Sequence, residues 1–464
     1  MLFTTHLFLF GFLPCTLAGY WLLRSTPVRL AFLALASYVF YAWWDWRYLP
    51  LMIASTTTDY VAGLLLSRTD GARMRRALLA GALSINLGLL ALFKYAGFLL
   101  DSGNGISSLV GGGRPFPALA LVLPIGISFY TFNSISYTID VYRRKIDADR
   151  NLLRYATFVS LFPHLIAGPI VRYSAIRGQL ERLAPRLTGD LATSGLFFLA
   201  CGLVKKLLIA DSLAPTVNRL FAAHAQLGLA SAWLAAVGYS LQLYFDFSGY
   251  SDMAVGLALL LGIRFPRNFD SPFRATSIAD FWRRWHISLS TFLRDYLFIP
   301  LGGSRGRPLF VARNLAIVML LGGLWHGAAW TFVVWGAIHG VLLAGHALLR
   351  GRGWTPPWAW LNRAITFASV AAAFVVFRAT SLGDAGDVLA GMIGAHGWQG
   401  SVALSGLTVP ALFIAALLVV VNTAPDTWDV TLRLNVRVGL AVGFALAVAL
   451  LAISGPSPFL YYQF

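Results

Sequence analysis

Long runs of apolar residues recur along the whole chain and set its predicted architecture. Each run holds about 20 residues, which lets a helix cross a hydrocarbon core of roughly 30 Å. The pattern therefore predicts an all-α polytopic membrane protein with about 11–13 transmembrane helices. The predicted spans lie near 3–23, 29–47, 49–66, 77–100, 117–140, 190–210, 227–247, 309–325, 329–349, 363–380, 404–422 and 438–454.

Two segments depart from the pattern of simple spans. The stretch FVSLFPHLIAGPIVRY (158–173) contains proline and glycine in an apolar run, so we predict that 155–170 dips into the membrane and returns. The stretch 264–307 mixes Arg, Asp, Trp and His with apolar residues. It is too polar to face lipid and too aromatic for a free loop, which predicts interfacial helices at the cytoplasmic face.

The composition agrees with a membrane protein. Of the 464 residues, 58% are hydrophobic and only 12% are charged, whereas a water-soluble domain carries roughly 25% charged residues. The sequence contains no fixed-period repeat and no stretch typical of a soluble domain. We therefore expect a single integral membrane domain over residues 1–464.

The charge is strongly positive, with 36 Lys and Arg against 19 Asp and Glu and a formal net charge of +17. On a soluble chain this excess would suggest nucleic acid as a partner. Here the basic residues lie in short segments between apolar runs, which is typical of cytoplasmic loops that meet anionic lipid. We predict a lipid bilayer as partner and no nucleic acid, with both termini outside the cytoplasm. The segments are 68–76, 143–154, 172–186, 264–313, Arg350 with Arg352, and Arg433 with Arg437.

The cysteines and the N-terminal segment add little chemistry. Cys15 and Cys201 lie in apolar stretches without CxxC or Cys/His spacing, so the sequence predicts no disulfide framework and no metal site. The segment MLFTTHLFLFGFLPCTLAGYWLLR lacks a basic start and a small-residue cleavage site. It predicts a retained first span instead of a cleaved signal peptide.

Histidines at membrane depth are the main candidates for chemistry, because polar groups there are costly. His326 lies at the joint of two spans in LLGGLWHGAAWTFVVWGAIHG (320–340), where glycines allow a close approach. His286 lies 40 residues earlier in FWRRWHISLS. From the residues alone, His326 is equally well explained as a histidine whose hydrogen bond ties the two spans together. His286, taken by itself, is slightly better explained as an interfacial histidine. His339 is expected to serve packing, and His164 could line a cavity.

Several other kinds of chemistry are disfavoured. The chain has no GxxxxGK[ST] loop, no HExxH and no GxSxG. Its one glutamate, Glu181, stands beside a basic cluster, so paired glutamates are unavailable. Histidine remains as the general base near neutral pH.

Four segments resemble membrane-bound O-acyltransferases, and within them the bacterial alginate O-acetyltransferase branch. They are YFDFSGYSDMAVGLAL (244–259), NFDSPFRATSIADFWRRWHISLSTFLRDYLFIPLGGSRG (268–306), GLWHGAAWTFVVWGAIHG (323–340) and SPFLYYQF (457–464). SFYTFNSISYTIDVYRR (128–144) and LFPHLIAGPIVRYSAI (161–176) fit the same branch. The resemblance covers most of the chain and is densest over 240–340.

The resemblance implies a helical bundle with re-entrant and interfacial helices around a central tunnel. It also implies two facing residues in that tunnel: an essential histidine and a second His, Asn or Asp about 40 positions earlier. His326 and His286 match these two positions. Further residues are expected to line or support the tunnel: Trp325, Trp285, Arg294, Asp295, Asp246 and His164.

The reaction implied by the resemblance is O-acyl transfer, most simply of acetyl, to a cell-surface or exported polysaccharide. No bound cofactor is expected, and the donor would be a cytoplasmic thioester, either acetyl-CoA or an acyl carrier protein. His326 would act as base, while His286 would polarise the carbonyl or orient the thioester. A separate extracytoplasmic acetyltransferase is an expected partner, and the bacterial inner membrane is the expected location.

Other functions remain open from the sequence. D-alanyl transferases of teichoic acid synthesis share the implied architecture, and a lipid or protein could also be the acceptor. A transporter or export channel would explain many spans and a broken hairpin. Transporters often show paired halves with matching interrupted helices, however, and the chain has no such internal symmetry.

Overall fold

The computed structural model describes residues 1–119, 121–351, 358–398, 400, 406–430, 436–453, 455, 457 and 459–460. Over these residues the chain forms helices and no strand, with one isolated bridge between Leu227 and Gly400. Arg352, Arg433, residues 404–405, residue 454 and most of the motif 457–464 lie outside the described residues. Two compact units divide the chain: unit 1 is Met1–Leu199 with Met253–Pro266, and unit 2 is Ala200–Asp252 with Arg267–Phe464.

Twenty α-helices are described. They are α1 Leu13–Leu22, α2 Thr26–Asp45, α3 Leu49–Arg68, α4 Ala72–Leu90, α5 Ala96–Leu109, α6 Ile127–Tyr142, α7 Leu152–Ser160, α8 Phe162–Leu165, α9 Tyr173–Glu181, α10 Gly189–Leu203, α11 Asp211–Ala222, α12 Leu229–Leu260, α13 Ile278–Arg284, α14 Ile287–Leu293, α15 Pro308–His326, α16 Trp330–Gly351, α17 Ala359–Arg378, α18 Leu382–Met392, α19 Thr408–Thr423 and α20 Val436–Leu451. π-helical segments at Leu7–Phe12, Ala91–Tyr95, Val204–Ala210 and Arg294–Phe298 extend several of them.

Many of these helices can cross a membrane, which confirms the prediction of an all-α polytopic membrane protein. Five helical stretches in the described residues are long and apolar enough by themselves, and three shorter apolar helices accompany them. The five are Thr26–Arg68, Ala72–Leu109, Pro308–His326, Trp330–Gly351 and Ala359–Arg378. The three are Leu7–Leu22, Thr408–Thr423 and Val436–Leu451.

The first long stretch corresponds to two predicted spans, 29–47 and 49–66. The backbone of Asp45 is extended, and its carboxylate accepts a hydrogen bond from the Arg47 backbone N–H at 3.0 Å. A 3₁₀ turn, Trp46–Tyr48, then leads into α3. This break ends α2 and begins α3, as two separate spans require.

Three predicted element boundaries were wrong. The predicted span 77–100 is followed by further helix as far as Leu109, and the predicted span 227–247 continues as α12 to Leu260. The predicted span 117–140 begins as a helix only at Ile127. Prolines at 117 and 124 disfavour an earlier start, because proline lacks the N–H that a helix needs. Gly126 precedes the helix at φ 76°, where a Cβ would lie 2.7 Å from the Leu165 carbonyl oxygen.

Unit 1 contains a buried polar cluster that ties α3, α4 and α6 together. Ser55 donates to the Asn86 side-chain oxygen at 2.7 Å, and the Asn86 amide donates to Asp59 at 2.8 Å. Thr138 donates to the other oxygen of Asp59 at 2.6 Å. Polar side chains among apolar helices are stable when they satisfy one another in this way.

The segment 155–170, also in unit 1, is broken as its composition predicts. Helix α7 ends at Ser160, Leu161 has a non-helical ψ of 110°, and α8 forms only one turn, Phe162–Leu165. The Phe162 backbone N–H donates to Ser37 in α2 at 3.1 Å. The segment is therefore not a continuous helical span, and whether it re-enters on one side of the membrane stays a prediction.

Unit 2 is organised around a hairpin of α15 and α16. The two helices approach so closely that a Cβ on Gly323 would lie 2.3 Å from the Phe332 carbonyl oxygen. A Cβ on Gly336 would lie 2.5 Å from the carbonyl oxygen of Met319. Glycine at these positions allows backbone-to-backbone packing, as is typical of helices in membranes. The hairpin fixes the position of His326, the last residue of α15.

The stretch 264–307 forms short helices, in agreement with its sequence. Helix α13 begins after Ser277, whose hydroxyl accepts from the Asp280 backbone N–H at 3.2 Å, an N-cap contact. A non-helical joint at Trp285 and His286 separates α13 from α14, which continues as the π-helical Arg294–Phe298. The second candidate histidine lies at this joint.

Candidate active site

His286 occupies a strained backbone position between α13 and α14. Its φ of 43° and ψ of 55° are left-handed, a conformation that costs a non-glycine residue about 1–3 kcal/mol. The Ile287 backbone N–H donates to the Asn268 carbonyl at 2.8 Å, which holds this backbone in place. The ring is fully buried. Such strain persists only where the surrounding structure enforces it.

Asn268 determines which nitrogen of the His286 ring carries hydrogen. The Ser288 backbone N–H, which can only donate, lies 3.2 Å from Oδ1 of Asn268. That atom must therefore be the amide oxygen, and the amide nitrogen faces Ser251 at 3.0 Å. Nδ1 of His286 is 3.2 Å from the same oxygen, so in the neutral ring Nδ1 donates. Nε2 is left with a lone pair and has no hydrogen-bond partner among the described residues.

This tautomer bears on the two roles expected of His286. Polarising a thioester carbonyl would require an N–H at the free nitrogen, and the neutral ring has none there. Nε2 can instead accept a hydrogen bond or a proton. The orienting role that the sequence also suggested is compatible with the structure when the bound group is a donor.

His326 lies at the C-terminal end of α15 and is nearly buried, with 5% of its surface exposed. Its ring is surrounded by aromatic rings of Trp325, Trp335 and Phe377, at centroid distances of 5.0, 4.9 and 5.4 Å. Gly327 follows in extended conformation and ends the helix. A Cβ on Gly327 would lie 2.1 Å from the Phe332 ring, so the tight turn requires glycine.

The two candidate histidines border the same tryptophan. The ring of Trp325 is 6.2 Å from His286 and 5.0 Å from His326, measured between centroids. The predicted support residue Trp325 thus lies between them in space. Residues 40 positions apart in sequence are brought into one aromatic cluster within unit 2.

His339 joins this cluster, which sequence reasoning did not foresee. Trp335 and His339 are four residues apart on α16, and their rings lie 4.7 Å from each other. Because α16 runs back along α15, the same Trp335 ring contacts His326. Trp282 donates through Nε1 to Nδ1 of His339 at 3.2 Å. A tryptophan N–H can only donate, so the neutral His339 carries its hydrogen on Nε2. The expected packing role of His339 is thus supplemented by a hydrogen bond.

Trp285 and Asp246, two residues expected to support the tunnel, lie close to the aromatic cluster. Trp285 stacks on Phe281 at 5.5 Å, with an angle of 19° between the rings. Asp246 lies 2.7 Å from the ammonium of Lys206 and accepts the Leu460 backbone N–H at 3.1 Å. The next residue, Phe247, places its ring 4.5 Å from His286. Asp246 of α12 is thus held by Lys206, one residue before the ring that contacts His286, and no local pattern in the sequence indicates its pairing with Lys206.

Arg294 and Asp295, two of the residues expected to line or support the tunnel, form an ion pair with 2.7 Å between Nε and Oδ1. Arg294 also lines a cavity of about 500 Å³, together with Trp282, Leu293, Met319 and further residues of α13 to α16. The cavity therefore borders Trp282, the hydrogen-bond partner of His339. Its lining is mainly apolar, with arginines at its edge.

His164 is placed differently from the other candidates. It belongs to unit 1, is fully buried, and has both ring nitrogens in contact with protein. Nδ1 lies 3.2 Å from the Asn133 amide, and Nε2 lies 3.0 Å from the Phe158 carbonyl. These contacts fix the broken segment 155–170, and the expected cavity-lining role stays a prediction.

In the parts of the chain that the structure describes, no three His, Cys, Asp or Glu side chains are gathered as metal ligands would be. The cluster instead offers imidazole nitrogens in a buried, water-poor environment. Such groups can move a proton between a hydroxyl and a leaving group.

Comparison with known proteins identifies a family and close relatives. The profile of MBOAT, the membrane-bound O-acyltransferase family, matches residues 142–381. Proteins named probable alginate O-acetylase AlgI are 41% identical in Azotobacter vinelandii, over 100% of both chains, and 46% identical in Pseudomonas aeruginosa, over 90% of this chain and 80% of the relative. A peptidoglycan O-acetyltransferase of Helicobacter pylori is 41% identical over 86% of this chain and 80% of its own.

Proposed function

Because this chain belongs to the membrane-bound O-acyltransferase family, we propose that it transfers acetyl groups from a cytoplasmic thioester towards a cell-surface or exported polysaccharide. The chain is a multi-pass membrane protein and an O-acyltransferase enzyme. Its relatives of 41–46% identity carry names that refer to acetylation of alginate or peptidoglycan. Both of these acceptors are polysaccharides, which supports this substrate class.

The observation that carries the mechanism is the free Nε2 of His286 beside the ring cluster of His326. We assign the general base for the attacking hydroxyl to His326, and to His286 we assign the acceptor of a hydrogen bond from a neighbouring hydroxyl of the same sugar, which orients the sugar. The hydroxyl oxygen forms a bond to the thioester carbonyl carbon, and the carbon–sulfur bond breaks. His326 takes the hydroxyl proton and returns it to the departing thiolate. General-base catalysis of this kind contributes roughly 10² to 10⁴ in rate.

The carbonyl oxygen gains negative charge in this step and needs an N–H donor. Since His286 cannot donate from its free nitrogen, we assign this role to Trp335 and His339. Nε1 of Trp335 and Nε2 of His339 are buried and have no hydrogen-bond partner among the described residues. Both rings belong to the cluster around His326.

For the donor we propose acetyl-CoA or an acetylated acyl carrier protein, reaching the site from the cytoplasm. The cavity bordered by Trp282 and Arg294 is a suitable entrance for the thioester arm, because it is apolar inside and basic at its edge. We also propose the bacterial inner membrane as location and a separate extracytoplasmic acetyltransferase as partner, which would pass the acetyl group to the polymer.

The test is acetyl transfer by the purified protein in lipid vesicles, with radiolabelled acetyl-CoA, acetylated carrier protein or D-alanylated carrier protein as the donor. Label in alginate or peptidoglycan when the partner acetyltransferase is added is the expected result for an acetyl donor, and label at the full rate without the partner would contradict the proposed relay. Transfer of D-alanine with no transfer of acetyl would contradict the proposal. The relatives similar over most of their length favour acetyl over D-alanyl.

A further inference from the structure

A second cavity of about 500 Å³ lies where α16 ends and α17 begins. Arg350 and His346 of α16 line it on one side, and Arg283 of α13 lines it on another. The positive charges of Arg350 and Arg283 both act on His346, so the three side chains converge. Asn362 and Ser369 of α17 add polar groups that can donate hydrogen bonds.

Among the described residues that line the cavity, none is acidic. Among ion pairs between described residues, none uses Arg350. Asp280, the carboxylate nearest to Arg283 in the sequence, is not part of the lining. It forms ion pairs with Arg284 at 3.1 Å and with Arg283 at 3.4 Å. Arginine presents its N–H groups in a planar fork that matches a phosphate group. The cavity is therefore suited to a phosphate anion.

The position of the cavity distinguishes between sources of phosphate. α16 and α17 are both candidate membrane spans, and the cavity lies between their adjacent ends. Leu342, Leu349 and Ile365 form its apolar side. A charged head against arginine and an apolar tail along leucine is the arrangement of a membrane lipid. Basic pockets between the cytoplasmic ends of transmembrane helices bind anionic head groups for this reason.

We propose that this cavity binds the head group of an anionic phospholipid, with its phosphate at Arg283 and Arg350 and its acyl chains along Leu349 and Ile365. The site is separate from the histidine cluster and does not depend on the proposed reaction. Only Arg283 also lines the cavity beside Trp282 and Arg294. The lipid would fasten the ends of α16 and α17 to the interfacial helix α13.

The test measures lipid selectivity of the full chain in phosphatidylcholine vesicles that contain a small amount of spin-labelled phosphatidylglycerol or spin-labelled phosphatidylcholine. The motionally restricted fraction of each label gives a relative association constant. The parent should prefer phosphatidylglycerol. The double variant Arg283→Gln with Arg350→Gln should lose roughly fivefold of this preference for each arginine.

Two further variants separate the cavity from general surface charge. Arg363→Gln removes an exposed arginine that neighbours Asn362 in α17 but does not line the cavity, and it should keep most of the preference. Ser369→Leu fills the cavity without changing charge and should lower the preference, which keeps the test valid if the double variant fails to fold. Unchanged selectivity in both cavity variants would overturn the proposal.

A competition experiment distinguishes a lipid from a soluble phosphate. Acetyl-CoA should leave the restricted phosphatidylglycerol of the parent in place. Displacement of the lipid label by acetyl-CoA, absent from the double variant, would show that the cavity serves a soluble phosphate compound and would overturn the lipid assignment.

Discussion

His164 in unit 1 and His286 in unit 2 are buried histidines that both lie where a helix is broken. They differ in how many of their ring nitrogens have a hydrogen-bond partner. Both rings are fully shielded from solvent. Both ring nitrogens of His164 lie within hydrogen-bond distance of protein atoms, whereas only Nδ1 of His286 has a hydrogen-bond partner among the described residues. A buried polar atom without a hydrogen-bond partner costs free energy. A folded protein that keeps such an atom is expected to use it to bind another molecule. Burial alone does not make a histidine catalytic, and a free nitrogen beside an aromatic cluster is the more informative feature.

Of the substitutions at and around these two histidines, we expect the largest loss of activity at His286. In His286→Gln the acceptor nitrogen is lost while the volume is nearly kept, so a substrate donor is left unsatisfied and kcat/KM should fall by roughly 100-fold. Steady-state release of thiol from acetyl-CoA, corrected for the folded fraction, measures the change. A loss of less than threefold would mean that the free nitrogen is not used.

Asn268 is the next position, because it fixes the tautomer of His286. Asn268→Leu removes the acceptor of the Nδ1 hydrogen and of the Ser288 backbone N–H. An unsatisfied buried donor costs about 1–3 kcal/mol, so the neutral ring with its hydrogen on Nε2 becomes favoured; the population with a free Nε2, and with it kcat, should fall roughly 5- to 100-fold. Asn268→Asp keeps an acceptor oxygen and should restore much of the rate. Equal rates in the Leu and Asp variants would contradict the tautomer argument.

His164 should affect folding instead of chemistry. His164→Gln disturbs the contacts with Asn133 and the Phe158 carbonyl, and the free energy of unfolding should fall by about 1–3 kcal/mol. Thermal unfolding in detergent measures this loss, and thiol release per folded molecule should match the parent. An activity loss as large as that of His286→Gln would remove the distinction between the two histidines.

We expect the smallest effect, a loss of stability, from a substitution at the start of α18, outside the membrane spans. Hydrogen bonds from the hydroxyls of Thr380 and Ser381 hold the pKa of Asp384 below its usual range. A lowered folded pKa stabilises the protein above the unfolded value of about 3.9, and this contribution is lost as the pH falls through the lowered folded pKa. Ser381→Ala also removes the N-cap and should cost about 1 kcal/mol. Unfolding curves at pH 7 and pH 3 should show a smaller difference for the variant than for the parent.

Periodicity and composition predicted the membrane class and most helices of this chain, because long apolar runs are a strong local signal. The errors fell where single residues set a boundary. Gly126, in a left-handed conformation, begins α6 ten residues later than hydropathy indicated. In α12 the apolar character persists through Asp246 and Asp252, whose charges are paired with Lys206 and Lys205. These partners lie 40 or more residues away and cannot be read from a local window.

The candidate site was predictable in part. His326 and His286 were selected by their motifs, and the structure brings both to Trp325. Asn268 was missed because it lies in an irregular segment, 18 residues before His286, and contacts the ring only through a folded loop. His339 was expected only to serve packing. It lies one turn after Trp335 on α16, and the reversal at Gly327 brings Trp335 against His326.

The most direct test of the central claim is thiol release from acetyl-CoA by the purified chain in lipid, comparing the parent with His326→Ala at matched folded fraction. We expect turnover in the variant to fall to the background without enzyme, while His164→Gln, measured in parallel, turns over at the parent rate per folded molecule. Equal turnover in the parent and His326→Ala would contradict the assignment of His326 as the base.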